Sequence, residues 1–403
     1  MVRKTGVSRA YLETERSGVS RISLHGEDFA NGISNWDDPL LLRSADIDFV
    51  FRIEETGGLT KILSLITGQH IGNDEKWLEY LRVEQVRDNP SSASIIIQTG
   101  CDNYCTFCIV PYTRGRETSR SIEDIVAEVT QASVEGAHEV TLLGQNVNSY
   151  GKLTRAKLWS ETTLTWEDAG VATPFRELLN HLGEIPGLSR IRFTSSNPHD
   201  MTRDILSSHF EIQAVCPYLH FALQSGSDAV LARMNRKHTY ADFKRQVEYL
   251  RAQDPLFAIS TDIIVGYPGE SETEFAETVR AMEELEFDYA FIARYSPRPG
   301  TRGATLEDDV SAAEKARRWN ILNGVLTHTA AKRADLMIGR TEEILVTTRE
   351  KDGMWSGRTR NFKEVYFEST EDLAGQLISV RIVRREEWRL IGERVEMYPK
   401  SPL

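Results

Sequence analysis

Residues 100–117 read Gly-Cys-Asp-Asn-Tyr-Cys-Thr-Phe-Cys-Ile-Val-Pro-Tyr-Thr-Arg-Gly-Arg-Glu. Three of the four cysteines in the chain, Cys101, Cys105 and Cys108, lie in this stretch with C-x3-C-x2-C spacing. Three thiolates on one short loop can bind three corners of a cubane iron–sulfur cluster, and Gly100 allows the chain to turn sharply into that loop. The remaining iron then lacks a protein ligand, and an open position on a metal can bind a substrate.

Two other uses of these thiols remain open at this stage. A structural zinc site uses four ligands, mostly from paired C-x2-C units, and no second pair follows in the sequence. Buried inert thiols are the other alternative. Disulfides are not expected in a chain with so few cysteines, and Cys216, which stands alone before Pro217, is expected to be a buried structural thiol.

The motif resembles the signature of the radical S-adenosylmethionine (SAM) methylthiotransferases, in particular the branch that modifies isopentenyladenosine in tRNA. C-x3-C-x-aromatic-C carries the resemblance, with Phe107 as the aromatic residue, and the match continues to Glu117. Residues 142–150, Leu-Leu-Gly-Gln-Asn-Val-Asn-Ser-Tyr, resemble the same branch. The resemblance implies a 4Fe–4S cluster on Cys101, Cys105 and Cys108, which act as metal ligands and catalytic residues, and SAM as the second cofactor.

Composition indicates a globular chain of more than one domain. The chain has 403 residues, with 40% hydrophobic and 27% charged residues, and a net charge of −12. Such a charge disfavours non-specific nucleic-acid binding, but residues 332–403 hold 14 Lys and Arg against 13 Asp and Glu. No apolar run reaches the length of a membrane span, so we expect a cytoplasmic protein without a membrane partner.

Strand, polar loop and helix alternate about six times after residue 92. Strands are predicted at 93–98, 140–143, 190–193, 219–223, 259–265 and 289–294, and helices at 174–182, 203–209, 240–252 and 272–285. Ser121 and Ser271 each begin a capping-box pattern before a helix. Such alternation predicts an α/β fold with a parallel sheet, and the resemblance implies a partial (β/α)6 barrel.

Polar motifs follow these strands, where parallel sheets bind their ligands. Phe107 is expected to pack near the adenine of SAM, and Gly144 and Gly266 to allow close approach of the backbone to the cofactor. Gln145, Ser195 and Gln224 are candidate partners for its methionyl and ribose groups, or else cap loops. Arg114, Arg116 and Arg298 are expected at the same carboxyl edge of the sheet. There they contact RNA phosphate or the SAM carboxylate, or else form ordinary ion pairs.

The C-terminal part changes pattern after a helix predicted at 312–336. Short β-rich runs at 341–346, 357–360, 365–367, 376–383 and 388–393 predict a small all-β barrel, which resembles the RNA-binding TRAM domain. Several cations there are expected to face RNA phosphates or to solvate the surface. They are Arg358, Arg360, Lys363, Arg381, Arg384, Arg385 and Arg389.

The N-terminal part departs from the family pattern. Residues 1–88 resemble part of the methylthiotransferase N-terminal domain, residues 89–332 the radical SAM core and residues 335–400 the TRAM domain. The family carries three more cysteines for an auxiliary 4Fe–4S cluster, and no cysteine precedes Cys101 here. We expect an N-terminal truncation, because residues 1–6 look like the sequence that follows the third of those cysteines; loss of the second cluster is the alternative.

The resemblance implies an enzyme that adds a 2-methylthio group to isopentenyladenosine beside the anticodon of tRNA. Its partners would be tRNA, an electron donor such as flavodoxin or ferredoxin, and iron–sulfur assembly or sulfur-donor proteins. Two alternatives stay open. One is a related methylthiotransferase acting on threonylcarbamoyladenosine or a ribosomal protein. The other is a catalytically incomplete RNA-binding protein that lacks the auxiliary cluster.

Overall fold

The computed structural model describes residues 2–3, 47–49, 90–151 and 172–395 of the chain. Backbone contacts divide the chain into two compact units: residues 1–86 with 112–115, and residues 87–111 with 116–403. In the first unit, strand β1 (Val2–Arg3) pairs antiparallel with β2 (Ile47–Phe49). The β-branched and aromatic residues of 45–51 favour a strand there. The sequence of residues 59–66 favours a short amphipathic helix, and residues 152–171 look like an inserted loop. Both segments lie outside the described residues, and the domain boundaries stay a prediction.

The second unit contains the strands and helices that position the site. Its first strands are β3 (Ser92–Ile96), β4 (Gln98–Thr99), β5 (Thr118–Ser119), β6 (Glu139–Leu143), β7 (Arg190–Phe193), β8 (Tyr218–His220), β9 (Ala258–Val265) and β10 (Tyr289–Arg294). Helix α1 (Val110–Thr113) has residues in both units. The helices of the second unit are α2 (Ile122–Val134), α3 (Pro174–Gly183), α4 (Arg203–Glu211), α5 (Asp228–Arg233), α6 (Tyr240–Gln253), α7 (Glu272–Leu285) and α8 (Ala312–Asp335). Helix α5 was not predicted from the sequence, and β8 is shorter than the predicted strand.

Six parallel strands form the sheet in chain order. Strands β3, β6 and β7 pair in one group and β8, β9 and β10 in another, all in parallel. Isolated parallel bridges from Ile191 to Val215 and from Ser196 to Phe221 join the two groups between β7 and β8. This arrangement confirms the partial (β/α)6 barrel and places the carboxyl ends of all six strands at one edge.

Local sequence explains where the helices begin and which face they bury. Ser121 accepts a hydrogen bond from the Asp124 amide at the start of α2, which buries Ile125 and Val129 against the sheet. Ser271 and Glu274 form a reciprocal capping box at the start of α7. Across the described residues, no helix combines the length and the apolar character that a membrane span requires.

The C-terminal strands close into the predicted small barrel. The strands β11 (Thr341–Arg349), β12 (Trp355–Thr359), β13 (Glu364–Phe367), β14 (Leu377–Glu386) and β15 (Arg389–Arg394) pair in the order β11, β12, β13, β15, β14. The barrel has its own core, in which Ile344, Val365, Phe367 and Val380 are fully buried. Closure leaves no long unpaired strand edge in this small barrel.

The small barrel docks on the amino-terminal edge of the parallel sheet through arginine–carbonyl hydrogen bonds. Arg190 donates to the Arg358 and Glu343 carbonyls, and Arg192 donates to the Arg360 and Thr359 carbonyls. Arg360 donates in return to the carbonyls of Ser189, Gln213 and Val215. Because Arg190 and Arg192 are buried, these bonds satisfy donors that otherwise have no water.

Asp288 is the buried acidic centre of this docking surface. The Lys363 Nζ lies 2.6 Å from its Oδ1, and Arg333 and Arg251 each lie 3.5 Å from one of its carboxylate oxygens. Its Oδ2 also accepts a hydrogen bond from the Ile259 amide. The expectation that Lys363 faces RNA is therefore wrong, because this side chain is buried against Asp288 and its burial lowers its pKa.

We expect Asp288→Asn to lower the free energy of unfolding by about 3–5 kcal/mol, because it leaves the cations around Asp288 without a counter-charge in a buried site. Urea unfolding of the full chain measures this loss. Glu386→Gln is the matched control, since it breaks an exposed pair with Arg384 and should cost less than about 1 kcal/mol. Equal losses in the two variants would contradict the assigned role of Asp288.

Candidate functional site

A two-stranded ladder closes the base of residues 100–117, which we call the cysteine loop. Gln98 pairs with Ser119 and Thr99 with Thr118, so β4 and β5 bracket the loop on either side. The Gln98 side chain donates to the Asn146 carbonyl and to Ser149 Oγ, beyond the end of β6. This ladder was not predicted, because its two short strands carry no periodic pattern.

Thr106, in the middle of the loop, is bonded to three neighbouring segments. Its amide donates to the Met234 carbonyl at 3.0 Å, and its carbonyl accepts from the Gly303 amide at 2.6 Å. Its hydroxyl lies 2.7 Å from the Tyr267 hydroxyl. Phe107 next to it is half-buried against the cluster of Val230, Met234, Tyr267 and Tyr295. The loop is therefore attached to the segments that follow α5, β9 and β10.

Asn235 and Arg236 make the most direct contacts with the cysteine stretch. The Asn235 Nδ2 donates to the Tyr104 carbonyl at 3.0 Å, and the Arg236 Nη1 lies 3.5 Å from Cys105 Sγ. Sequence reasoning missed both residues. The run Asn-Arg-Lys at 235–237 is a polar turn in sequence, and nothing in its pattern says which loop it faces.

The three cysteines are free, half-buried thiols. Burial raises the pKa of Cys101 to about 12 and also raises that of Cys108, while the positive charges of Arg298 and Arg236 oppose the second shift. Asn103 Nδ2 donates to Cys101 Sγ at 3.7 Å. Iron binding would need to displace the thiol protons, as in any thiolate site.

The donor set fits an iron–sulfur cluster better than one ion. Among the described residues, no group of three or more His, Cys, Asp or Glu side chains is arranged to hold a single metal ion. A cubane cluster is larger than an ion and keeps its thiolates farther apart. Three free thiols, two of them already receiving a side-chain donor, match the ligands and outer hydrogen bonds of such a cluster.

The residues expected to contact SAM all lie at the carboxyl edge of the sheet. Gly144 follows β6, Ser195 follows β7, Gln224 follows β8 and Gly266 follows β9. Ser195 and Gln224 adopt positive φ values of 61° and 74°. Gln145 carries a buried Oε1 that has no hydrogen-bond partner within the described part of the chain, so this acceptor is open to a donor from a ligand.

Gln224 is held in its conformation by the backbone. Its amide donates to the Asp262 carbonyl at 2.7 Å, and its carbonyl accepts from the Ile264 amide at 2.9 Å. A non-glycine residue with positive φ is uncommon and often marks a functional position. The same conformation at Ser195 gives two neighbouring strand ends with this property.

A buried polar network joins the cysteine loop to the ends of β6 and β7, and sequence reasoning missed it. Glu117 accepts from Ser149 Oγ at 2.9 Å and from the Asp102 amide at 3.3 Å. Asn146 donates to Asp200 at 2.8 Å. Burial raises the pKa of Glu117, so this carboxyl sits in a less solvated environment than an ordinary surface glutamate.

The arginines proposed for RNA lie in different environments. Arg114 and Arg298 are exposed, and Arg116 is exposed but donates to Asp102 at 2.6 Å. In the small barrel, Arg358 covers the Phe362 ring, Arg384 pairs with Glu386 and Arg385 pairs with Asp335. The prediction that Arg360 contacts RNA phosphate is wrong, because its guanidinium donates hydrogen bonds to backbone carbonyls of the parallel-sheet domain.

Comparison with known proteins adds two domain matches. Residues 95–282 match the radical SAM superfamily, and residues 335–395 match the TRAM domain. The chain is 40% identical over 311 residues to a tRNA-2-methylthio-N(6)-dimethylallyladenosine synthase of Acetivibrio thermocellus, covering 77% of this chain and 62% of that protein. A synthase of the same name from Clostridium botulinum strain Hall is also 40% identical over 311 residues, with 77% and 66% covered.

The chain therefore spans about two thirds of the length of these curated relatives or slightly less. Among solved structures, coproporphyrinogen III oxidase of Escherichia coli, described as a radical SAM enzyme, aligns with 13% identity and a TM-score of 0.42. That alignment covers 77% of this chain and 70% of the oxidase. This likeness is too low to bear on function.

We expect Gly266→Ala to destabilise the edge of the sheet by about 1–3 kcal/mol more than Gly353→Ala. Both glycines have positive φ, but a Cβ on Gly266 would lie 2.4 Å from Lys315 Cγ, whereas one on Gly353 meets nothing within 4 Å. Lys315 cannot easily retreat, because its Nζ binds Asp308 and the Tyr295 carbonyl. Thermal unfolding of both variants measures the difference, and similar losses would show that the Lys315 contact is unimportant.

Proposed function

We propose that the chain, whose residues 95–282 match the radical SAM superfamily and whose residues 335–395 match the TRAM domain, acts in the 2-methylthiolation of N6-isopentenyladenosine beside the anticodon of tRNA. The observation that carries this proposal is the attachment of the cysteine loop to the carboxyl edge of a parallel sheet. That edge is where parallel α/β sheets bind ligands. The chain is 40% identical to two tRNA-2-methylthio-N(6)-dimethylallyladenosine synthases, and this supports the choice of substrate.

Cys101, Cys105 and Cys108 would hold the 4Fe–4S cluster, and the strand ends beside them would hold SAM. When both are bound, they supply a one-electron route from SAM to an adenosyl radical. Phe107 offers a half-buried ring to the adenine, and Gln145 offers an unpaired acceptor. Gly144 and Gly266 lie at the same edge, where Gln98 and Lys315 occupy the space that a Cβ would fill. Ser195 and Gln224 have fixed positive-φ backbones there.

The tip of the hairpin between β14 and β15 is the part of the TRAM barrel that best suits RNA. Trp388 is 62% exposed there, and Arg389 covers the Tyr366 ring at 4.5 Å. Arg384 on the same hairpin is exposed. Exposed aromatic rings and arginines stack on unpaired bases and neutralise phosphates, so this hairpin suits a single-stranded loop of tRNA.

The remaining partners follow from the chemistry. A cluster with one electron to give needs an electron donor such as flavodoxin or ferredoxin, and its assembly needs iron–sulfur or sulfur-donor proteins. Free thiols that ligate iron suit a reducing compartment, so we place the chain in the cytoplasm with its tRNA substrate.

A second function is favoured by the cysteine count. Three of the four cysteines serve one cluster, and Cys216 is fully buried. A cluster on these three cysteines accounts for radical formation. The second candidate is a protein that binds tRNA and cleaves SAM without inserting sulfur.

We expect anaerobically reconstituted protein to bind about four iron and four sulfide per chain on Cys101, Cys105 and Cys108 and to release 5′-deoxyadenosine from SAM after reduction. Cys105→Ala should lose both properties, because two thiolates no longer enclose the cluster. Cys216→Ala is the matched control and should keep both. A Cys105→Ala variant with full iron content would contradict the ligand assignment.

Mass spectrometry of nucleosides from isopentenylated tRNA incubated with the same protein decides between the two functions. A 2-methylthio product identifies a complete methylthiotransferase. Release of 5′-deoxyadenosine without that product identifies the incomplete protein. In a parallel incubation with tRNA that carries threonylcarbamoyladenosine, a methylthio group on that nucleoside would show the related specificity instead.

We expect Trp388→Ala to weaken tRNA binding by about 1–3 kcal/mol, through lost stacking on an unpaired base. Arg384→Gln and Arg389→Gln should each reduce the slope of log affinity against log salt by about 1. Titration of tRNA at several salt concentrations measures both effects. Arg245→Gln, an exposed arginine on α6 that pairs with Asp242, is the control, and an equal effect there would contradict a specific TRAM surface.

A further inference from the structure

Arg236 is bonded to the cysteine loop and to the sheet at the same time. Its Nη1 lies 3.5 Å from Cys105 Sγ, and its Nη2 donates to the Ala222 carbonyl at 2.7 Å. Its backbone amide donates to the Leu231 carbonyl at 2.9 Å, which fixes the turn after α5. The hydrogen bonds to the Ala222 and Leu231 carbonyls therefore hold the guanidinium beside Cys105.

We propose that Arg236 is a positioning residue that makes the cluster easier to reduce, by donating an N–H···S hydrogen bond to the Cys105 thiolate. The inference rests on the proposed function, because it requires the cluster on the three cysteines. A reduced cluster carries one more negative charge than an oxidised one. A cationic donor at a ligand sulfur stabilises the reduced form more, and hydrogen bonds to sulfur are among the factors that set cluster potentials.

The preceding residue explains why this donor is rigid. Asn235 adopts a left-handed conformation with φ 56°, and its Nδ2 donates to the carbonyls of Asn103 and Tyr104. Thr106 binds the Met234 carbonyl directly before it. Hydrogen bonds therefore fix the backbone of residues 234–236 relative to the cysteine loop. The position of the Arg236 guanidinium at Cys105 does not depend on a flexible side chain alone.

The charges around the three cysteines are unequal. Cys101 receives the neutral Asn103 amide and lies near the Glu117 carboxylate. Cys108 lies near Arg298 and Arg236. Cys105 is the thiol to which a guanidinium donates directly. Positive charge is therefore concentrated on the Cys105 and Cys108 side, where an added electron is stabilised.

Redox titration followed by electron paramagnetic resonance, without SAM, tests the proposal. Arg236→Gln should lower the equilibrium constant for one-electron reduction at least tenfold, which corresponds to a potential about 59 mV more negative. Arg236→Lys keeps the positive charge but loses the planar guanidinium with its fixed N–H directions. It should shift the potential less, in the same direction. Arg245→Gln should leave it unchanged. An unchanged potential in Arg236→Gln with full iron content would overturn the proposal, because a role confined to holding SAM or the fold does not move a SAM-free potential.

A measurement on the unaltered chain keeps the proposal testable if a variant fails to assemble a cluster. With arginine labelled by ¹⁵N in its guanidinium, the reduced cluster should show a ¹⁵N hyperfine coupling. Retention of that coupling in Arg298→Lys assigns it to Arg236, whereas its absence from the unaltered chain or its loss in Arg298→Lys overturns the proposal. Failure of the unaltered chain to bind any cluster would instead overturn the proposed function.

Discussion

The proposed cluster requires the cysteine loop to present three sulfur atoms to one point, and the loop takes its shape from segments far away in sequence. The β4–β5 ladder closes its base, Thr106 is tied to the residues that follow α5 and β10, and Asn235 binds the carbonyls next to Cys105. A loop held by fixed partners loses less entropy when it binds a ligand. The rest of the fold supplies those partners at one edge.

The two edges of the parallel sheet serve different purposes for the same physical reason. At the carboxyl edge, polar backbone and side chains remain available to ligands. At the amino edge, Arg190, Arg192 and Arg360 bind carbonyls across the junction with the small barrel, and Asp288 balances the cations there. Cations used in this way cannot also bind phosphate, so position in the fold, and not residue type, separates structural arginines from those exposed on the β14–β15 hairpin.

The polar network beneath the loop shows how burial turns ordinary residues into parts of a site. Glu117, Ser149 and Asn146 are separated in sequence but share hydrogen bonds in a region with little water. In such an environment each unmade bond is costly, so the network fixes the geometry of the loop relative to β6. The buried Glu117 carboxyl also places a negative charge on the Cys101 side of the loop.

The sequence by itself determined the alternating strands and helices, the capping residues Ser121 and Ser271, the closed C-terminal barrel and the cysteine motif, because these depend on local spacing and on periodic burial. It could not identify Asn235, Arg236, Glu117 or Asp288 as partners, or tell that Lys363 is buried and that the Arg360 guanidinium binds backbone carbonyls. A contact between residues that lie far apart in the sequence leaves no mark on either local pattern. Only the folded sheet, which brings six strand ends to one edge and the small barrel to the other, decided which polar residues meet.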